Sequence, residues 1–138
     1  MIILDTNILS DAMQLKESVT AWLDRQPRTS VWTTSITIFE IRYGLAVMPS
    51  GKRRAGREAA LGRLIDEKLE GRVLAFDEAA AAEAAALMAR RHLAGIPRDL
   101  RDTMIAGIAL AQRATLATRN VKHFGDLTVP VVDPWQEQ

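Results

Sequence analysis

Three carboxylates stand at positions where an α/β chain places reactive groups. Asp5 directly follows the apolar run Met1-Ile2-Ile3-Leu4, which reads as a strand buried on both faces. Its carboxylate therefore belongs at the C-terminal edge of a sheet, unless Asp5 only caps the turn that follows. Glu40 lies in an expected helix running to about Met48. Ile36, Tyr43, Gly44 and Val47 share its face, while Ile38, Ile41, Leu45 and Met48 make the other side apolar too. Such a helix is expected to be buried nearly all round. A glutamate there is costly unless it pairs with an arginine, such as Arg42 or Arg119, or binds a cation. Asp102 opens the expected helix Arg101–Gln112 and shares a face with Ile105, Ala106 and Ala109. A helix N-terminus also favours a carboxylate there, although Asp99, one turn earlier, is the better capping candidate. If the three acids converge, their repulsion calls for a hard divalent cation, and oxygen-only ligation selects Mg²⁺ or Mn²⁺. Such a centre activates water for in-line attack on a phosphodiester. Arg119, just past an expected strand, is placed to hold a phosphate. The chemistry this points to is that of a nuclease.

The elements that must position these groups alternate along the chain. Strands are expected at 1–4, 31–34, 73–76, 115–118 and 129–132. Helices are expected at about 18–25, 35–48 with Ser35 as N-cap, 53–70, 78–93 and 99–112. Strand–helix alternation implies a parallel sheet with helices on both faces, and ligands outside the carboxyl ends of its strands. At 138 residues, 48% apolar and 25% charged, the chain reads as one globular domain over 1–138. It has no cysteine and only two histidines, His92 and His123. A disulfide scaffold, a thiol nucleophile and a thiolate metal site are thereby excluded. No apolar run reaches the ~18 residues of a membrane helix and the start has no basic leader, so a cytoplasmic protein without a membrane partner is expected. The net charge is +1 but unevenly spread. Residues 52–57 carry four bases and no acid, 58–89 are net acidic, and 90–126 are net basic. A basic block of this kind suits either a polyanion or a merely solvated helix start.

Four motifs in order then carry a resemblance. They are Ile3-Leu4-Asp5-Thr6-Asn7, Glu40-Ile41-Arg42-Tyr43-Gly44, Asp102-Thr103-Met104-Ile105-Ala106, and Leu116-Ala117-Thr118-Arg119-Asn120 followed by Phe124. With the closing Pro134-Trp135, the chain resembles a PIN-domain ribonuclease of the VapC/FitB-like toxin type. The resemblance implies a three-layer α/β sandwich whose central, mostly parallel sheet has helices on both faces. It implies Asp5, Glu40 and Asp102 as catalytic and metal-binding residues, and Thr6, Thr118, Arg119 and Asn120 at the substrate. It further implies Mg²⁺, with Mn²⁺ as a substitute, and an RNA substrate. The implied partners are a second copy of the chain and a small DNA-binding antitoxin whose C-terminal segment crosses the active-site groove. Operator DNA would be reached only through that antitoxin. One departure stands out. The family commonly has a fourth acid at the position of Asn120 or of His123, and neither is acidic here; Asp126 is near in sequence. The expectation is therefore one metal ion, held by Asp5 and Asp102, with Glu40 direct or through water. A PIN-like protein that only binds partners remains the alternative. A phosphatase of the haloacid-dehalogenase type would need an aspartate where Asn7 stands.

Overall fold

The fold is that of a computed structural model, described over residues 1–136; Glu137 and Gln138, the end of the expected domain 1–138, lie outside the described residues. Short β-branched runs form five strands: β1 (Ile2–Leu4), β2 (Val31–Thr34), β3 (Val73–Leu74), β4 (Thr115–Ala117) and β5 (Val131–Val132). They lie in the order β3-β2-β1-β4-β5, with every neighbouring pair parallel. The sheet is thus wholly, not mostly, parallel. Helices α1 (Thr6–Met13), α2 (Glu17–Asp24), α3 (Ser35–Ala46) and α4 (Lys52–Arg63) precede β3, while α5 (Glu78–Leu93) and α6 (Leu100–Gln112) lie between β3 and β4.

The two-residue period of a strand divides the core. Ile3 and Leu116 pack with Leu87, Ile105 and Phe124 on one face of the sheet. Leu4 and Ala117 pack with Ile8, Leu9, Trp22, Leu45 and Leu61 on the other. Helices α1–α4 therefore cover one face and α5–α6 the other, which is the expected three-layer sandwich.

Local expectations are corrected in five places. Helix α1 has no expected counterpart, because Thr6, Asn7 and Ser10 are poor helix formers and the apolar pattern is short. The Asp5 side chain starts it by accepting from Thr6 N–H. Thr34, not Ser35, caps α3 by accepting from Thr37 N–H. Helix α3 is also not buried all round: Phe39 and Tyr43 are each 58% exposed and Val47 is 67% exposed. An outer-layer helix turns one side inward, here with Thr37 and Leu45 buried, and among the described residues nothing covers its Phe39–Tyr43–Val47 side. The expected helix 53–70 divides into α4 and a π-helical turn at Leu64–Lys68, ended by Gly71 at φ +74°. Strand β5 begins at Val131 instead of Val129, because Pro130 has no N–H to give a ladder.

Helices α5 and α6 pack tightly at Gly107. A Cβ there would lie 2.5 Å from the Ala80 carbonyl oxygen and 2.6 Å from the Ala84 Cβ. Gly107→Ala is therefore expected to destabilise the fold, by about 1–3 kcal/mol as overpacking does, despite alanine's better helix propensity. Urea unfolding checks this, and a variant as stable as the parent would show that α5 can retreat freely.

Candidate active site

Strand β1 lies at the centre of the sheet, and the chain leaves it first toward β2 and β3. Only after α6 does it return to the opposite side of β1, as β4. This reversal opens a crevice at the carboxyl ends of β1 and β4, the place where open α/β sheets hold ligands. Asp5 stands in that crevice with 3% exposure. Its Oδ1 accepts from Thr6 N–H at 2.8 Å and its Oδ2 accepts from the Thr118 hydroxyl at 2.7 Å. Capping and placement at the sheet edge are thus one geometry.

Thr6 links the first acid to the second. Its hydroxyl donates to Glu40 Oε1 at 2.9 Å and lies 3.1 Å from the Thr37 hydroxyl. Neither Arg42 nor Arg119 pairs with Glu40. Arg101 does, with Nη1 at 3.8 Å from Oε2. Arg101 was not singled out in the sequence, and the only signal for it was adjacency to Asp102. Asp102 is half-buried in the first turn of α6, where Asp99 takes the capping bonds from Arg101 N–H and Asp102 N–H. The Asp102 carboxylate is thereby left to the crevice.

Electrostatics binds the three acids into one site. Burial raises the Asp5 pKa to about 6, against the Thr118 and Thr6 hydrogen bonds, with the charges of Asp102 and Glu40 adding to the rise. Burial likewise raises Glu40, opposed by the Thr6 bond and Arg101 and reinforced by Asp102 and Asp99. Burial raises Asp102 too, with the Asp99 charge adding to it and His123 opposing. Three carboxylates that resist ionisation beside one another make a site suited to a cation.

The remaining expected residues divide. Thr118, expected at the substrate, is fully buried and its hydroxyl donates to Asp5, so in the structure it holds the acid. Asn120 N–H donates to the same hydroxyl at 3.0 Å. The Arg119 guanidinium lies 3.2 Å from Asp11 Oδ2 and 4.9 Å from the Trp135 ring centre. Pro134-Trp135 therefore straps back onto the loop after β4. Asp126 does not supply the missing fourth acid. It is fastened to the buried Arg91 by two bonds of 2.8 and 2.9 Å, which hold its carboxyl below the usual range. Arg91 also donates to the Thr103 hydroxyl and the His123 carbonyl. The clamp sets His123 Nδ1 at 3.6 Å from Asp102 Oδ2.

Among the described residues, no three His, Cys, Asp or Glu side chains are drawn close enough to form a ready-made cage. The donors around Asp5 and Glu40 are hard oxygens, carboxylates and hydroxyls, and the His123 imidazole beside Asp102 adds one nitrogen. They fit an ion that keeps several of its own waters and takes one or two carboxylates directly, as Mg²⁺ does.

Residues 2–127 match the profile of the PIN domain. The chain belongs to the PIN-domain family. It is 36% identical over 138 residues to the VapC ribonuclease Y4jK of Sinorhizobium fredii, covering 99% of both chains. It is 34% identical to Toxin FitB of Neisseria gonorrhoeae, covering 99% of this chain and all of that one. Among solved structures it is similar to a FitAB complex bound to a DNA fragment. There the TM-score is 0.87 at 34% identity, over 98% of this chain and 96% of that one.

The raised Asp5 pKa makes the stability of this PIN domain depend on pH. Below about pH 4, folded and unfolded states both hold the proton. As pH rises past 6 the fold must carry a desolvated charge, so metal-free stability falls across that window by up to about 3 kcal/mol. Asp5→Asn keeps the oxygen that caps α1 and removes the charge. In EDTA at pH 7.5 it should melt at or above the parent, and added Mn²⁺ should stabilise only the parent. Melting far below the parent would leave Asp5 as a cap and nothing more.

Proposed function

We propose that this chain is a divalent-metal-dependent endoribonuclease toxin of a toxin–antitoxin pair, one PIN domain over 1–138, that hydrolyses RNA phosphodiesters with Mg²⁺. The observation that carries this reading is the placement of Asp5, Glu40 and Asp102 around one crevice at the β1–β4 reversal, each with its proton affinity raised by burial. The names of its relatives, a VapC ribonuclease and the FitB toxin, favour the same activity.

Asp5 and Asp102 would hold the ion directly, and Glu40 directly or through water. When bound, Mg²⁺ lowers the pKa of attacking water and neutralises charge at the phosphate. Thr118 and Thr6 fix the rotamers of Asp5 and Glu40, so both carboxylates are aimed before the ion arrives. Thr6 and Asn120 border the crevice at the substrate. Arg119, with 46% of its side chain exposed, keeps guanidinium N–H groups for a phosphate. Arg101 offsets the charge of Glu40 on the opposite side.

The expected partners are a small DNA-binding antitoxin, which covers the groove and carries the pair to operator DNA, and a second copy of this chain. The exposed Phe39–Tyr43 pair on α3, stacked at 6.4 Å between ring centres, suits the contact between copies. No helix among the described residues is long and apolar enough to cross a membrane. A cytoplasmic setting suits an RNA substrate.

Cleavage of single-stranded RNA by the purified chain should require Mg²⁺ or Mn²⁺ and stop in EDTA. Asp102→Asn should lower the rate at least about a hundredfold, beyond the loss seen for outer-shell partners, while melting at or above the parent without metal. Absence of cleavage by the parent under any divalent metal, together with intact antitoxin binding, would favour the partner-binding alternative.

A further inference from the structure

The basic block at residues 52–57 forms the start of α4. Arg54 there is occupied, paired with Glu58 at 2.8 Å and directed to the carbonyls of Ala46 and Met48. Arg57 is different. It is half-buried, and among the described residues no carboxylate or hydrogen-bond partner meets it. It lines a groove of about 340 Å³ between α1, α3 and α4, whose wall begins at Thr6 and Glu40 and continues past Ser10 and Gly44. The groove thus brings an unpaired guanidinium and the acid crevice into one space, with Met13, Ile41, Leu45 and Met48 as apolar lining between the polar groups.

Gly44 points the same way. It sits inside α3, one turn beyond Glu40 and on its face. Its φ is not left-handed, and a Cβ added there would meet nothing within 4 Å. Neither backbone conformation nor close packing requires glycine, and glycine inside a helix is less stable than alanine. The contrast is Gly107, where packing alone excludes a side chain. What a side chain at residue 44 would fill is the groove itself.

We propose that this groove is the path of the RNA strand beyond the acid crevice: Gly44 leaves its floor clear for the sugar–phosphate backbone, and Arg57 holds a phosphate away from the scissile one. The proposal rests on the nuclease reading above and adds a subsite to it. A single strand is the form proposed, because its exposed backbone and unstacked bases can follow a channel that pairs a cation with apolar walls. Arg57 gives the strand a charge-assisted anchor.

The test uses the full chain and a labelled single-stranded RNA. Binding is measured in EDTA across a salt series, and cleavage is measured in Mg²⁺. Arg57→Ala should weaken binding about tenfold and reduce the slope of log affinity against log salt by about 0.7, one phosphate's share on a single strand. Its KM should rise with kcat within about twofold, and Arg57→Lys should restore most of the affinity and the slope. Gly44→Leu should melt at or above the parent yet bind RNA at least tenfold more weakly. In both variants Mn²⁺ affinity should be unchanged, since neither touches the acids. A parent that cleaves RNA, with variants that bind and cleave as well as it does, overturns the groove and leaves the nuclease reading standing. A parent that neither binds nor cleaves RNA removes both. Loss of the dimer or of antitoxin binding in Gly44→Leu or Arg57→Ala, with RNA affinity intact, assigns the groove to protein and overturns the proposal.

Discussion

A carboxylate almost fully removed from water at the end of the central strand is the constraint around which the rest is arranged. Asp5 cannot be displaced toward solvent without giving up the start of α1, because its side chain caps that helix. Nor is it neutralised by an arginine, for among the described residues none pairs with it. The structure instead gives it one hydroxyl, from Thr118, and one backbone N–H, from Thr6, and places two more acids nearby, whose charges make its own harder to carry. A protein with only stability to serve would replace such a group with an apolar residue. Its retention fits a site built for a cation, and the hydroxyls of Thr118 and Thr6 hold the oxygens of Asp5 and Glu40 in place.

The same logic explains why the neighbouring charges sit where they do. Arg101 approaches Glu40 only to 3.8 Å and remains largely solvated, so it tempers the site's charge without occupying it. Arg91 is buried and fully committed, and it takes Asp126 out of the crevice altogether. One arginine modulates the acids, and the other removes a competitor and fixes the edge where His123 faces Asp102.

How much of this was legible depended on whether the signal was local. The strand 1–4, the helix 78–93 with its Asp77 cap and the role of Asp99 follow from apolar runs, alanine propensity and capping chemistry, and each is found in place. Helix α1 escaped notice because its start is set by one side chain, not by a pattern. The exposure of Phe39 and Tyr43 escaped because an apolar helix face reads alike whether it meets the core or another molecule. Asp5, Glu40 and Asp102 could be chosen one by one, since each is a carboxylate in an apolar setting. Their pairing with Thr118, Thr6 and His123 joins residues as much as 113 apart, and no spacing rule reaches that far. The partners of Arg119 and Asp126 were hidden for the same reason.

That separation bears on when the site comes into being. The central strand is made first, but its amide at Asp5 waits for the carbonyl of Ala117, and its carboxylate waits for the Thr118 hydroxyl. Parallel pairings across most of a chain close late, after local helices have formed. A chain emerging from the ribosome can thus build its first helical layer while the acid crevice still lacks one wall. The crevice is completed only when β4 has been synthesised and has docked beside β1. Chain topology thus leaves the first acid without its second wall until the strand that leads into Thr118 has been made.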